Sequence, residues 1–78
     1  MLSAVVLVNT GSGSSQDKVL ETLKNIEGVE EAHALYGVYD FIIKIKALTL
    51  DKLKDIIKLH IRQTAGVTSS LTLMIIDH

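Results

Sequence analysis

The stretch YGVYDF, residues 36–41, joins two segments that favour β-strands. Residues 29–36 lead into it, and the more apolar residues 41–47 leave it. Glycine and aspartate between two such segments predict a tight antiparallel turn. Two tyrosines and a carboxylate are more than the geometry of a turn requires, and binding residues are often carried on loops of this kind. This turn is therefore the first candidate for a binding site.

The composition predicts one small domain that gains stability from association. Of the 78 residues, 47% are hydrophobic, yet a chain of this length buries only about 60% of the surface that it exposes when unfolded. The net charge of −1 and the three aromatic residues argue against a nucleic-acid surface. No apolar run approaches the roughly 18–20 residues of a membrane span, and the N-terminus lacks the basic region of a signal peptide. The absence of cysteine favours a cytoplasmic protein.

Upstream of the turn, the sequence predicts a strand, a loop and a helix. Residues 2–8 are almost wholly apolar, as in a strand buried on both faces. A loop rich in glycine and serine follows, and the N-cap of the helix is either Ser15 or Ser14 in combination with Asp17. Gly28 ends the helix in a left-handed conformation. The apolar stripe of this helix consists of Val19, Leu20, Leu23 and Ile26.

Downstream of the turn, the same order of elements recurs. Residues 41–47 form a strand with one wholly apolar face, Thr49 caps a second helix, and Gly66 ends that helix. Residues 71–76 form the last strand. The apolar stripe of the second helix consists of Leu50, Leu53, Ile56, Ile57, His60 and Ile61.

The two halves of the chain match at an offset of 38 residues. The matched pairs are Val5 with Ile43, Leu7 with Ile45, Val19 with Ile57, Leu23 with Ile61, and Gly28-Val29 with Gly66-Val67. Two copies of a βαβ unit predict an α+β protein of the ferredoxin-like βαββαβ class. In that fold a four-stranded antiparallel sheet carries both helices on one face.

The opposite face of the sheet is a candidate dimer interface. The offset places the odd-numbered residues of the first strand against the helices, which leaves an apolar set on the open face: Ala4, Val6, Val8, Ile42, Thr72, Met74 and Ile76. A patch so apolar is typical of an interaction surface. We expect a two-fold homodimer packed face to face, with an interface formed by Val6, Val8, Ile42, Met74 and Ile76.

Polar residues near the ends of the strands have more than one interpretation. Asp40 either forms an Asx-type turn with its own backbone, or accepts a hydrogen bond from a ligand, or braces a binding loop. The hydroxyls of Ser69, Ser70 and Thr72 either belong to a turn or form a polar corner next to another subunit. The loop of residues 9–15 lacks the lysine of a phosphate-binding loop. It is either a connector that supplies a cap or an anion site at the N-terminus of the helix that follows.

The histidines indicate neither a metal site nor a catalytic triad. His33, His60 and His78 lie on three different elements, and no pair has the spacing of metal ligands. A catalytic triad cannot be argued from residue order alone. We therefore expect no metal and no cofactor.

Four short motifs, taken in order, resemble the effector-binding module of the leucine-responsive (Lrp/AsnC) regulator family, called the RAM domain. The motifs are Gly37-Val38-Tyr39-Asp40, Phe41-Ile42-Ile43-Lys44, Gly66-Val67 and Ser70-Leu71-Thr72-Leu73. The resemblance extends over residues 2–77. It implies that residues 1–78 are a single RAM domain without the DNA-binding helix-turn-helix domain of full-length members.

The resemblance also implies a non-enzymatic role in amino-acid sensing. Members form face-to-face dimers that assemble further, typically into octamers, and bind small effectors between dimers. Carried over by motif, the residues that border the effector are Gly37, Val38, Tyr39, Asp40, Ser70 and Thr72. The turn and Asp40 suit an α-amino group, whereas Ser70 and Thr72 of a neighbouring dimer suit a carboxylate. Val38 and Ser70 depart from the polar residue and the threonine that members often have. Co-assembly with a full-length regulator is a further expectation.

Two other classes of protein fit parts of the sequence. An ACT-like amino-acid-binding domain would use the turn at Gly11 and Gly13, between the first strand and the first helix. A small dimeric α+β barrel enzyme would use His33 or His60 as a general base. Such an enzyme needs a second catalytic group, which the sequence does not indicate.

Overall fold

The computed structural model describes residues 1–13 and 15–75. Its elements in chain order are β1 (Leu2–Thr10), α1 (Gln16–Lys24), β2 (Val29–Ala34), β3 (Phe41–Ala47), α2 (Leu50–Asp55), a π-helical segment (Ile56–Ile61) and β4 (Val67–Ile75). The strands form one antiparallel sheet in the order β2-β3-β1-β4. This is the predicted ferredoxin-like fold, with both helices against one face. The last strand begins at Val67, four residues earlier than the sequence predicted.

The helix ends follow the predicted capping residues. The Ser15 hydroxyl accepts a hydrogen bond from the backbone N–H of Lys18 at 3.4 Å, and Thr49 caps α2 in the same way. Ser14, the alternative cap, lies outside the described residues. Gly28 and Gly66 have φ values of 97° and 96°, which confirms the predicted left-handed conformation after each helix.

The second helix departs from the prediction because α2 continues as a π-helix. The backbone N–H of Arg62 donates to the carbonyl of Ile57 at 2.9 Å, a bond that spans five residues. A π turn accommodates more residues than an α turn, so the later positions rotate away from the predicted stripe. Leu53 and Ile61 are fully buried, whereas His60, which the stripe placed against the sheet, is exposed.

The buried face of β1 is opposite to the predicted one. Ala4, Val6 and Val8 are fully buried under the helices, and Val6 pairs with buried Ile43. The prediction that Val6 and Val8 form the open-face dimer interface is therefore wrong. The two halves of the chain still match at the offset of 38 residues where the helices end. The loops before the helices differ in length, because five residues connect β1 to α1 whereas two connect β3 to α2. The offset therefore slips in the strands, where a shift of one residue reverses the face of every side chain.

The open face of the sheet carries a different apolar set, the open-face cluster. Directly paired residues share a face, and Leu7 pairs with both Ile42 and Leu71 on this side. The open-face cluster consists of Val5, Leu7, Ile42, Leu71, Leu73 and Ile75. Ile42 thus lies on the predicted face. Met74 pairs with Ala4 on the helix side instead, and Ile76 lies outside the described residues.

Candidate functional site

The predicted turn is a six-residue hairpin loop, residues 35–40, which connects β2 and β3. Ala34 pairs with Phe41 at its base, and the Leu35 N–H donates to the carbonyl of Asp40 at 2.7 Å. The loop is longer than the tight turn that the sequence predicted because β2 ends at Ala34. It nevertheless makes the same connection at the same place in the fold.

The tip of the hairpin loop is exposed in a single copy of the chain. The exposed fractions of Tyr36 and Val38 are 107% and 87%, whereas Tyr39 is half-buried. Gly37 is not held in the left-handed region, and a Cβ atom added there would meet no atom within 4 Å. The fold of one copy therefore does not require glycine at this position. Glycine is also the residue of choice where a ligand or another backbone approaches closely.

Asp40 braces the hairpin loop against the end of β1. Its Oδ2 accepts hydrogen bonds from the Thr10 N–H at 2.8 Å and from the Thr10 hydroxyl at 3.0 Å. The backbone N–H of Asp40 also donates to the carbonyl of Val8 at 3.0 Å. Of the interpretations open for Asp40, the structure thus shows the brace and not a local Asx-type turn. Among the described residues Oδ1 has no hydrogen-bond partner, so one carboxylate oxygen remains available.

Thr10 is a residue of the candidate site that the sequence analysis missed. It ends β1, and the strand pairing sets its backbone beside the start of β3. The sequence indicated Thr10 only indirectly, because nothing but the predicted order of strands in the sheet brings the end of β1 and the start of β3 together. A charged acceptor that binds both the N–H and the hydroxyl of one residue fixes the loop more firmly than a single neutral hydrogen bond does.

Ser70 and Thr72 lie at the same side of the fold as the helices but at the edge of the sheet. Ser70 pairs with Val8 and Thr72 with Val6. The helices lie mainly over the other three strands, so both hydroxyl residues are only half-buried. Ser70 shares one end of the sheet with Asp40, but two strand spacings of about 5 Å each separate them. Within one copy the hairpin loop and these hydroxyls do not form one pocket.

The structure does not assemble a site from the residues of the two alternative classes, the α+β barrel enzyme and the ACT-like domain. His33 lies on β2, where it faces Glu31 at 3.5 Å, whereas His60 lines a cleft of about 360 Å³ at the opposite end of the sheet from the hairpin loop. The N–H of Gly11 donates to the carbonyl of Gly66 at 3.0 Å, and a Cβ atom at Gly11 would lie 3.2 Å from the Thr68 methyl group. Gly11 therefore has a packing role beside β4.

Two features are absent from residues 1–13 and 15–75. No group of three or more histidine, cysteine, aspartate or glutamate residues there could hold a metal ion. In the same part of the chain no helix combines the length and the apolar character needed to cross a membrane.

Comparison with known protein families decides the assignment. The family model described as the Lrp/AsnC ligand binding domain matches residues 3–78. The chain belongs to the Lrp/AsnC ligand-binding domain family. This confirms the family that the four motifs indicated, and the fold described above is the one expected for it.

Relatives of this Lrp/AsnC domain include regulators and an enzyme. An uncharacterized HTH-type transcriptional regulator of Pyrococcus furiosus is 30% identical over 74 residues, which are 92% of this chain and 49% of the regulator. Homocitrate synthase of Saccharolobus islandicus is 33% identical over 75 residues, which are 96% of this chain and 16% of the enzyme. The chain thus spans about half the length of the regulator and about a sixth of the synthase.

Two solved structures share the fold over the whole chain. A hypothetical protein from Pyrococcus horikoshii has a TM-score of 0.88 and 32% identity, with coverage of 100% of this chain and 93% of that one. The feast or famine regulatory protein of M. tuberculosis, solved in complex with L-methionine, has a TM-score of 0.82 and 26% identity. This chain is covered completely in that comparison, and the regulator to 52%.

Proposed function

We propose that this chain is a non-enzymatic regulatory module that binds an amino acid between assembled copies of itself. The observation that carries the proposal is the hairpin loop. Asp40 and Thr10 hold it rigidly at its base, while its tip is exposed and contains a glycine that a single copy does not require. A rigid loop with an open glycine suits close approach of a ligand, because little conformational entropy is lost on binding.

The polar groups near this end of the sheet match the two charges of an amino acid. Carbonyl groups of the hairpin loop and Oδ1 of Asp40 are acceptors for an α-ammonium group. The hydroxyls of Ser70 and Thr72 and nearby main-chain N–H groups are donors for an α-carboxylate. Because the two sets are separated by β1 within one copy, the proposed site combines the hairpin loop of one copy with β4 of another. The L-methionine complex of the M. tuberculosis relative supports an amino acid as the ligand.

The assembly that creates this site begins with a dimer through the open-face cluster. Its apolar residues lie on β1, on β4 and at the start of β3. Charged residues border them on β2 and further along β3, where Lys46 pairs with Glu30 at 2.8 Å. An apolar centre with a polar border is typical of a protein interface. A two-fold axis closes such a contact, and further association of dimers, up to the octamer expected for the family, creates the seams that hold the ligand.

Regulation follows from linkage between ligand binding and assembly. A ligand that contacts two copies binds the assembled state more tightly than the free dimers. This difference in affinity between the two states sets how far the ligand favours assembly. The chain would transmit this change in assembly to a partner. The partner in this proposal is a full-length Lrp/AsnC regulator, which the chain reaches by co-assembly; an HTH-type transcriptional regulator, the P. furiosus relative, contains a segment similar to this chain. A cytoplasmic location fits such a partner.

A thermal-shift screen of the twenty amino acids tests the proposal. A ligand at a hundredfold excess over its Kd stabilises the folded state by about 2.7 kcal/mol, which corresponds to roughly 10–20 °C for a domain of this size. Gly37→Leu adds bulk at the loop tip, where a Cβ atom meets no other atom within 4 Å in the copy that carries it. We expect this variant to fold normally and to lose the shift. Leu48→Ala, at an exposed position at the other end of β3, is the matched control and should keep it. No shift of the wild-type chain with any amino acid would reject the proposal.

A further inference from the structure

A cleft of about 310 Å³ lies beside the start of β4, and Arg62 forms one of its walls. Its other lining residues are uncharged: Val67, Thr68, Ser69 and Ser70. Arg62 is also the only arginine in the chain, since the other seven basic residues are lysines. The charge of this cleft is therefore that of a single guanidinium group.

The backbone of Arg62 is fixed although its side chain is exposed. Its N–H closes the π-helical segment by donating to the carbonyl of Ile57, and the preceding residue, Ile61, is fully buried. Two residues later the Thr64 hydroxyl donates to the carbonyl of His60 at 2.8 Å. The ion pairs among the described residues involve His33, Lys44 and Lys46 and not Arg62. The guanidinium thus projects from a rigid base and has no carboxylate partner in the described part of its own chain.

An anion bound in this cleft would depend on Arg62. The cleft lies near the C-terminal end of the helical segment, where the partial charge of the backbone is negative and disfavours anions. A guanidinium offsets that effect and presents a planar fork of donors that matches a carboxylate. The hydroxyl of Ser70 makes no hydrogen bond within the described residues, so it remains available as a second donor on the same side of the sheet.

We propose that Arg62 binds the α-carboxylate of the amino-acid ligand, with the Ser70 hydroxyl as a second donor. This inference rests on the proposed function and names the group that selects the ligand class. The hairpin loop of one copy accepts hydrogen bonds from the ammonium group, and the cleft of another copy holds the carboxylate. The site therefore favours free amino acids over amino-acid amides and simple amines, which lack the carboxylate.

Calorimetric titration of Arg62→Gln tests this role. The two ligands are the amino acid that stabilises the wild-type chain most and its α-carboxamide. We expect Arg62→Gln to weaken binding of the amino acid by about 10- to 100-fold, the range for hydrogen bonds to charged groups, and Arg62→Lys to weaken it less. The carboxamide should bind the wild-type chain and Arg62→Gln with similar, low affinity. Lys58→Gln removes a cation of the same π-helical segment that does not line this cleft, and it should bind the amino acid as the wild-type chain does.

The outcomes separate this inference from the proposed function. Equal affinity of the wild-type chain and Arg62→Gln for the amino acid would overturn the role of Arg62 and leave the proposed function intact. Binding of no amino acid by the wild-type chain would reject both. A smaller assembly of Arg62→Gln without ligand, measured by light scattering, would show that the guanidinium holds copies together, and this too would overturn its assignment as a ligand residue.

Discussion

Replacement of Asp40 by alanine is the most informative change to the hairpin loop, because it removes the brace while leaving the loop sequence otherwise intact. Two hydrogen bonds to Oδ2 are lost, one from the Thr10 N–H at 2.8 Å and one from the Thr10 hydroxyl at 3.0 Å. Hydrogen bonds to charged groups contribute about 1.5–3 kcal/mol each, but these two share one acceptor and are not additive. The half-buried Thr10 N–H also loses its partner. We therefore expect the free energy of unfolding to fall by about 2–3 kcal/mol.

Two milder variants divide this loss between the two bonds. Asp40→Asn keeps an oxygen acceptor but no charge, and Thr10→Val removes only the hydroxyl. Each should cost about 1 kcal/mol. In an Asp40→Ala background Thr10→Val should have almost no further effect, because the partner of the hydroxyl is already gone. This coupling between the two positions distinguishes a direct contact from a general loss of packing.

Urea denaturation measures these changes, repeated at several protein concentrations because assembly contributes to the apparent stability. Asp55→Ala, an exposed carboxylate at the end of α2, is the control and should change stability by no more than about 0.5 kcal/mol. Hydrogen exchange of the Thr10 amide gives a local measure of the same bond and should be faster in Asp40→Ala. If Asp40→Ala were no more destabilising than Asp55→Ala, with the Thr10 amide equally protected, the brace would be refuted.

Two further predictions follow from the packing and from the open face. Gly28→Ala forces an unfavourable φ and drives a Cβ atom into the Ile56 side chain, so it should lower the free energy of unfolding, measured by urea denaturation, by at least about 2 kcal/mol. The control, Gly37→Ala, should change it by no more than about 0.5 kcal/mol. Equal effects of the two substitutions would contradict the described helix end. Leu73→Lys places a charge in the open-face cluster and should reduce the mass of the assembly measured by light scattering. The control, Leu59→Lys, lies on the exposed side of the π-helical segment and should leave the mass unchanged. An unaltered mass of Leu73→Lys would exclude assembly through the open face of the sheet.

The order of elements and the fold could be predicted from the sequence because they depend on local patterns. Thr49 has a side chain suited to an N-cap, and Gly28 and Gly66 suit a left-handed residue after a helix. Two such units in succession leave few topologies besides the one observed. The face of β1 could not be predicted in the same way. Residues 2–8 are apolar at both odd and even positions, so periodicity does not distinguish the two faces and the repeat offset decided wrongly.

The details of the site depend on tertiary contacts that one sequence does not reveal. The motif around Asp40 indicated the hairpin loop as a candidate site. The partner of Asp40, Thr10, is 30 residues away and becomes adjacent only through the pairing of β1 with β3. Arg62 lines its cleft directly after a π-helical segment, and no capping or breaking residue marks such a segment in advance. Single-sequence patterns describe helix starts and ends better than changes of helix type within a continuous run.

The most direct test of the account is the dependence of ligand affinity on protein concentration. If the amino acid binds between copies, assembly and binding are linked, and the apparent Kd must fall as the protein is concentrated. Equilibrium dialysis of the most stabilising amino acid, over a hundredfold range of protein concentration that spans dissociation of the assembly, measures this directly. The account predicts tighter binding at high concentration, together with a larger assembly mass when ligand is present. An apparent Kd that stays constant across that range, with full binding to the dissociated chain, would contradict a site formed by the hairpin loop of one copy and β4 of another.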